Sequence, residues 1–133
     1  MADQQFRIVF IADNQKYLSR IARTVDYVEA SKQDLDVHSK FTLFSYEDGT
    51  IALKADNGKF LYCDANDNNR IKVGLSDSSD TRCKFTMQAQ EEGSVAIGFN
   101  NSWWAIAAVN DVNYVAATSP DQVSFTVNIE PVD

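Results

Sequence analysis

The side chains that could support catalysis are few, and the only histidine, His38, is the first to consider. A Ser–His or Cys–His nucleophile would have to use this imidazole, with Asp34 or Asp36 as the acid that orients it. The chain has no glycine pattern typical of a nucleophile elbow or of a phosphate-binding loop. We therefore expect His38 to be a solvated loop residue and the protein not to be an enzyme.

A second group, in residues 64–69, is rich in oxygen-bearing side chains. Asp64, Asn66 and Asn68 occupy positions 1, 3 and 5 of a loop that begins like a calcium-binding loop. Position 6, which should be glycine, is Asn69, and position 12, which should be glutamate, is Leu75. The segment is therefore predicted to be an Asx-rich turn without a metal, and no other cofactor is expected.

Amides beside aromatic rings form the strongest candidate for a binding site. An aromatic face next to side chains that both donate and accept hydrogen bonds suits a sugar, which has an apolar face and pairs of hydroxyls. Such side chains are concentrated in one loop of the middle of the chain and in its last third. The predicted carbohydrate site consists of Asp67, Asn68, Asn69, Asn101, Trp103, Trp104, Asn110, Asn113 and Tyr114.

The elements that must position these residues come from an internal repeat. The sequence IADNQKYL at residues 11–18 recurs as KADNGKFL at 54–61 and, in degenerate form, as GFNNSWWA at 98–105. Each copy later ends in a short motif, KFT in the first two repeats and SFT in the third. The phenylalanines of these motifs are Phe41, Phe85 and Phe125. A period of about 42 residues that fills the chain predicts a repeat architecture. We place the repeats at about 5–47, 48–91 and 92–131 within one domain, 1–133.

Within the second repeat, apolar and polar residues alternate with the period of two that is typical of strands. Asn57-Gly58 is predicted to form a type I′ hairpin turn between the first two strands. Four strands in each repeat give twelve in all, and residues 19–36 are predicted as strand and loop rather than helix. Three such units must close on one another to bury their apolar faces. The predicted fold is all-β, a single β-trefoil.

The recurring aromatic residues are expected to form threefold layers of the core. One layer is Phe41, Phe85 and Phe125. The other layer is Tyr17, Phe60 and Trp104. Core symmetry accounts for Trp104 but not for the adjacent Trp103. Either Trp103 points outward, at the position of Lys16 and Lys59, or the register of the third repeat slips by one residue.

The sequence GTIALKADNGKFL, at residues 49–61 of the second repeat, resembles the strand–turn–strand motif of fascin-like β-trefoils. That group includes fascin, hisactophilin and, more loosely, the amaranthin-type agglutinin domains. The agglutinin likeness implies a glycan containing N-acetylgalactosamine, held beside a subunit interface by Asp67, Asn68 and Asn69. The fascin likeness implies cross-linking of actin filaments. The Gln-x-Trp of ricin-type lectins is absent.

Charge and composition exclude several partners. The net charge of −7 and the scattered basic residues argue against nucleic acid and anionic membranes. No apolar run approaches the ~20 residues that span a bilayer, and the N-terminus lacks the features of a secretory signal. We therefore expect a cytoplasmic protein with two reduced cysteines, Cys63 and Cys83.

These observations favour a non-catalytic lectin. Its expected partners are glycans, for which galactose or N-acetylgalactosamine is the candidate sugar, and a homodimer is compatible with this function. The alternatives are a fascin-like protein that binds and cross-links actin and a protease inhibitor that presents a loop. Against the actin alternative, filaments are acidic and would repel a chain of net charge −7 unless its charges are segregated.

Overall fold

A computed structural model gives the fold of residues 4–131. In that range the chain forms twelve strands and three single-turn 3-10 helices, and the segment around residues 19–36 is strand and turn, as predicted. No helical segment in this range has the length and hydropathy needed to cross a membrane. The strands are β1 (Gln4–Ile11), β2 (Tyr17–Ala22), β3 (Asp26–Lys32), β4 (Phe41–Ser45), β5 (Thr50–Lys54), β6 (Phe60–Asp64), β7 (Arg70–Leu75), β8 (Phe85–Ala89), β9 (Ser94–Phe99), β10 (Ser102–Val109), β11 (Val112–Ser119) and β12 (Phe125–Pro131), and the short helices are Val37–Ser39, Ala65–Asp67 and Thr81–Cys83.

Six of the strands close into a barrel. β1 pairs with β4 and β12, β5 pairs with β4 and β8, and β9 pairs with β8 and β12, always antiparallel. The other six strands form the hairpins β2–β3, β6–β7 and β10–β11. These hairpins pair with one another through β3, β7 and β11. A six-stranded barrel capped by three hairpins is the β-trefoil, so the predicted fold class is confirmed.

The core repeats around the threefold axis. Phe41, Phe85 and Phe125 begin the fourth strand of each repeat and are buried, as predicted. Phe10 lies among them, with ring centroids 6.2 Å from Phe41 and 6.5 Å from Phe125. The barrel is therefore filled by side chains, and it contains an aromatic centre to which all three repeats contribute.

The second predicted layer is wrong in part. Trp104 is fully buried, but Tyr17 and Phe60 are only half-buried. The buried residues in the first two repeats are instead their neighbours, Leu18 and Leu61. The layer is therefore Leu18, Leu61 and Trp104, and each of them follows a register irregularity in its hairpin.

A shorter hairpin in the third repeat causes this shift. Lys54 pairs with Phe60 across the turn of the second repeat, whereas Gly98 pairs with Trp103 across the equivalent turn. The connection in the third repeat is one residue shorter, so the register slips by one. Trp103 consequently takes the half-buried position of Tyr17 and Phe60.

The turns also differ from the prediction. Of the two residues predicted for this turn only Gly58 has a positive φ, and the side chain of Asn57 accepts a hydrogen bond from the backbone N–H of Lys59 at 3.0 Å. This turn is therefore not of type I′. Two successive positive φ values occur instead at Asn100 and Asn101, 52° and 68°, as a two-residue type I′ turn requires.

Cys63 and Cys83 are separate thiols, each almost completely buried. Burial raises the pKa of both to about 11. Because the thiolate is the reactive form, we expect both cysteines to react with an aromatic disulfide reagent at pH 8 about a hundredfold more slowly than a free thiol. Absorbance of the released thiolate measures this rate. Full reaction in urea is the control, and fast reaction of the folded protein would contradict the prediction.

Candidate functional site

The nine residues predicted to form a carbohydrate site do not lie together. Asn101 and Trp103 belong to the β9–β10 hairpin, and Asn110 lies at the exposed turn between β10 and β11. Asp67 and Tyr114 lie where the three capping hairpins meet. Trp104 belongs to the core, so it is not available to a ligand.

The remaining amides are divided between structure and surface. Asn69 donates from its side chain to the carbonyl of Ala117 at 3.2 Å, and its own carbonyl accepts from the Ala117 N–H at 3.0 Å. These two bonds hold the loop of the second repeat against β11. Asn68 is exposed in a left-handed conformation, and Asn113 is half-buried opposite Ala108 in the β10–β11 hairpin.

Trp103 lies against the backbone of its own hairpin. A Cβ built on Gly98 would be 3.0 Å from two atoms of the indole ring, so the ring covers this glycine closely. In the second repeat the position of Gly98 is taken by Lys54. The loss of that side chain leaves room for the larger ring, so Trp103 is half-buried rather than presented to solvent.

A cluster of charged and aromatic side chains lies where the hairpins meet, and we refer to it as the cap cluster. At its centre, the ammonium of Lys72 lies 2.8 Å from an oxygen of Asp64 and 3.0 Å from one of Asp67. Only 10% of the Lys72 side chain is exposed. The cluster consists of Tyr27, Asp64, Asp67, Arg70, Lys72 and Tyr114.

Aromatic contacts complete the cap cluster. The hydroxyl of Tyr27 donates to Asp67 at 3.2 Å, and the rings of Tyr27 and Tyr114 meet edge to face with centroids 5.0 Å apart. The guanidinium of Arg70 lies 4.4 Å from the centroid of Tyr114 and binds Asp67 at 3.1 Å. Two cations thus balance two carboxylates, and these contacts join all three hairpins. We interpret the cap cluster as a structural junction.

The charged side chains of the cap cluster shift one another's pKa values. The hydrogen bond from Lys72 lowers the pKa of Asp64 and also that of Asp67. Burial lowers the pKa of Lys72 itself, but the hydrogen bonds to both carboxylates outweigh this and raise it. All three groups are therefore ionised at neutral pH.

His38 lies in the short helix Val37–Ser39, and Asp36 caps its backbone N–H at 3.0 Å. The Nδ1 atom of the imidazole lies 2.9 Å from Asp56 and 3.2 Å from the guanidinium of Arg20. Arg20 also binds Asp56 through two hydrogen bonds and lowers the pKa of that carboxyl. The histidine thus belongs to an ion-pair network that joins the first repeat to the turn of the second.

A cleft lies between the first and second repeats, and we refer to it as the aromatic cleft. Its volume is about 430 Å³, within the roughly 300–1,000 Å³ of typical ligand pockets. It is open on one side and has both apolar and polar walls. The lining residues are Gln5, Phe44, Tyr46, Phe60, Ser78, Ser79 and Lys84.

The walls of the aromatic cleft are ordered by contacts among themselves. The rings of Phe44 and Phe60 have centroids 5.8 Å apart at 53°, and the ammonium of Lys54 lies 5.6 Å from both centroids. The hydroxyl of Tyr46 lies 3.1 Å from that of Ser78. Aromatic faces and hydrogen-bonding groups therefore stand side by side on two elements of different repeats.

Two lysines of this region carry charges that no carboxylate neutralises directly. Among the described residues, neither Lys54 nor Lys84 has an ion-pair partner within 4.0 Å. Asp48, which is close enough for Lys84 to influence its titration, is engaged by Thr50, whose hydroxyl and backbone N–H both donate to it. The Thr50 hydrogen bonds are the main reason that the pKa of Asp48 is lowered.

The aromatic cleft is specific to one of the three equivalent positions. A second cavity of about 380 Å³ lies beside β12 and includes Leu35, Lys40 and Glu130, but no aromatic side chain lines it. Phe44 and Tyr46 stand three and five residues after Phe41. At the same offsets from Phe85 and Phe125 the other repeats have Gln88 and Gln90, and Asn128 and Glu130.

Sequence reasoning did not find the aromatic cleft, although a signal was present. Phe44 and Tyr46 break the threefold pattern as clearly as the tryptophan pair does. Phe44 and Tyr46 form a cleft only together with Ser78, Ser79 and Lys84, which lie more than 30 residues away in the chain. The pairing of β5 with both β4 and β8 brings these segments together.

Comparison with solved structures gives the same fold at low sequence identity. ThreeFoil, a designed threefold-symmetric protein, matches with a TM-score of 0.76 and 14% identity, over 91% of this chain and 96% of its own. The BEL β-trefoil matches with a TM-score of 0.73 and 15% identity, over 97% and 94%. Lysenin in complex with phosphocholine matches with a TM-score of 0.67 and 13% identity, over 98% of this chain but 45% of its own. At these identities the likeness concerns the fold alone.

At the level of sequence, no curated protein matches the chain significantly. A sequence profile of the Fascin domain does match, and it aligns with residues 13–128. That segment contains all but the first two residues of the first hairpin motif, the other two motifs complete, and all three copies of the closing phenylalanine. Because the match spans well over half of the chain, this protein belongs to the Fascin domain family.

Proposed function

We propose that this protein binds carbohydrates without catalysing a reaction, and that the aromatic cleft is its binding site. The observation that carries the proposal is the position of Phe44, Tyr46 and Phe60 in one open cleft together with hydroxyl, amide and ammonium groups. Aromatic faces pack against the apolar face of a sugar ring, while the polar groups bind its hydroxyls. The cleft has room for a sugar of one or two rings.

The proposal moves the expected site away from Trp103. Its indole is half-buried against Gly98, and the amides predicted with it lie in separate places. In contrast, the residues of the aromatic cleft face a common space. Phe44 and Tyr46, like the tryptophan pair, stand at positions where the three repeats differ.

Replacement of Tyr46 by alanine is the test. We expect Tyr46→Ala to weaken glycan binding at least tenfold, equivalent to about 1.4 kcal/mol, because it removes one wall of the cleft and the contact with Ser78. A glycan array that includes galactose and N-acetylgalactosamine identifies the ligand, and titration calorimetry measures its affinity. Far-UV circular dichroism verifies the fold of each variant.

Two variants serve as controls. Gln90→Ala changes the threefold-equivalent position of Tyr46 and should leave the affinity unchanged. Trp103→Ala separates the aromatic cleft from the site that the sequence favoured. Binding that is lost with Trp103→Ala and kept with Tyr46→Ala would refute the placement in the cleft.

Binding to actin filaments is a second candidate, favoured by membership of the Fascin domain family. A net charge of −7 works against contact with an acidic filament. An empty glycan array together with cosedimentation on filamentous actin would favour this function over the first.

A further inference from the structure

We propose that the ligand of the aromatic cleft is an acidic sugar, a monosaccharide unit that carries a carboxylate. This inference rests on the proposed function and specifies its substrate class. It follows from the two lysines at the cleft. Lys84 lines the cavity, and Lys54 lies over the rings of Phe44 and Phe60 that form its wall.

The lining of the aromatic cleft carries positive charge without a carboxylate. The chain as a whole has 19 acidic and 12 basic residues, so this lining runs against the net charge of the protein. Of the nearby carboxylates, Asp80 binds Arg82 at 2.9 Å, whereas Asp77 and Asp48 accept hydrogen bonds from the neutral groups of Ser79 and Thr50 and keep their charge. None of these carboxylates lines the cleft. An anion entering the cleft therefore meets the ammonium of Lys84 and no lining carboxylate, with the Lys54 ammonium over the rings of the wall.

The second cavity shows that this arrangement is not a general property of the fold. Lys40 stands in the first repeat where Lys84 stands in the second, since each follows a short helix and donates its backbone N–H back to it. However, Lys40 shares its cavity with Glu130, whose counterpart in the aromatic cleft is Tyr46. The two cavities thus have corresponding lysines, but in the second cavity Lys40 and Arg7 share the lining with a carboxylate, whereas no carboxylate lines the aromatic cleft.

A carboxylate matches the charge of the cleft better than a phosphate. A carboxylate carries one negative charge, whereas a phosphate monoester carries about 1.5–2 at pH 7, and a single lysine, Lys84, lines the aromatic cleft. Lysine acts as a point charge that needs no fixed geometry. The neighbouring aromatic rings require an apolar ring face on the same ligand, which an acidic sugar provides and a simple anion does not.

Pairs of ligands that differ only in charge test the inference. Methyl glucuronide is compared with methyl glucoside, methyl galacturonide with methyl galactoside, and methyl sialoside with its methyl ester, by titration calorimetry and saturation-transfer NMR on the full chain. We expect at least one acidic sugar to bind more tightly than its neutral counterpart. Lys84→Gln and Lys54→Gln should each weaken its binding about two- to fivefold, as expected for an exposed charge pair. Lys40→Gln should leave the affinity unchanged, and Tyr46→Ala should abolish binding of both members of the pair.

The outcomes separate this inference from the proposed function. Equal affinity for both members of every pair, unaffected by Lys84→Gln, would overturn the acidic-sugar inference and leave the carbohydrate site standing. An absence of binding by any sugar would overturn both. Competition by acetate at the same concentration as the acidic sugar would also overturn it, because it would indicate attraction of any anion.

Discussion

Trp104→Ala is expected to lower the free energy of unfolding by about 3–5 kcal/mol, the usual cost of removing a large buried aromatic side chain. The Trp104 ring is fully buried and packs against Phe10 and Phe85, with centroids 6.1 and 5.2 Å away. A domain of this size has a total stability of about 5–15 kcal/mol. Urea denaturation followed by far-UV circular dichroism measures the loss without depending on tryptophan fluorescence.

Two further variants make this result informative. Trp104→Leu restores the residue that the other repeats have at Leu18 and Leu61, and it removes an indole N–H that has no hydrogen-bond partner among the described residues. We therefore expect Trp104→Leu to cost clearly less than Trp104→Ala. Trp103→Ala should cost clearly less than Trp104→Ala, since its ring is only half-buried. Equal losses at Trp103 and Trp104 would contradict the register described for the third repeat.

Lys72→Met is expected to destabilise the protein by about 2 kcal/mol at pH 7. Breaking a buried ion pair typically costs about 3–5 kcal/mol, and the value here is reduced because about a quarter of each partner carboxylate, Asp64 and Asp67, is exposed. The methionine keeps most of the volume of the lysine, so the loss reflects charge and hydrogen bonds. Chemical denaturation of both proteins across a pH series is the measurement.

The stability difference between the two proteins should also depend on pH. Lys72 lowers the pKa of Asp64 and Asp67 in the folded state, so its stabilising effect is complete above about pH 4, the ordinary value of these groups, and is lost as the pH falls through their lowered values. The difference between the two proteins should therefore shrink below pH 4. Lys32→Met, which breaks the more exposed pair with Asp36, is the control and should cost less. A difference that does not change between pH 7 and pH 2 would show that Lys72 acts through packing.

The fold could be predicted from the sequence because the same pattern of strands and core residues occurs in all three repeats. Phe41, Phe85 and Phe125 are buried as expected, since a core residue must recur in every copy. The register of the third repeat could not be settled in advance, because the position of Trp103 depends on a turn that is one residue shorter. Hairpin length is a property of backbone pairing, and two adjacent tryptophans fit either register.

The candidate site was less accessible to sequence reasoning. Amides were predicted to bind a sugar, yet Asn69 bonds to the backbone of Ala117. Asn57, which was not part of the predicted site, likewise bonds within its own turn. In turns, asparagine often satisfies the backbone rather than a ligand. The aromatic cleft required knowing that Tyr46 lies beside Ser78, which no local pattern indicates.

The close contact between Gly98 and Trp103 constrains how the third repeat can change over evolutionary time. A side chain at Gly98 would meet the indole at 3.0 Å and the Thr86 hydroxyl at 2.8 Å. The lysine that stands at the equivalent position of the second repeat could therefore be introduced here only after Trp103 has been replaced by a smaller residue, and the Thr86 hydroxyl would still have to move. The order of these substitutions matters, because a side chain at Gly98 and the indole of Trp103 cannot occupy the same space.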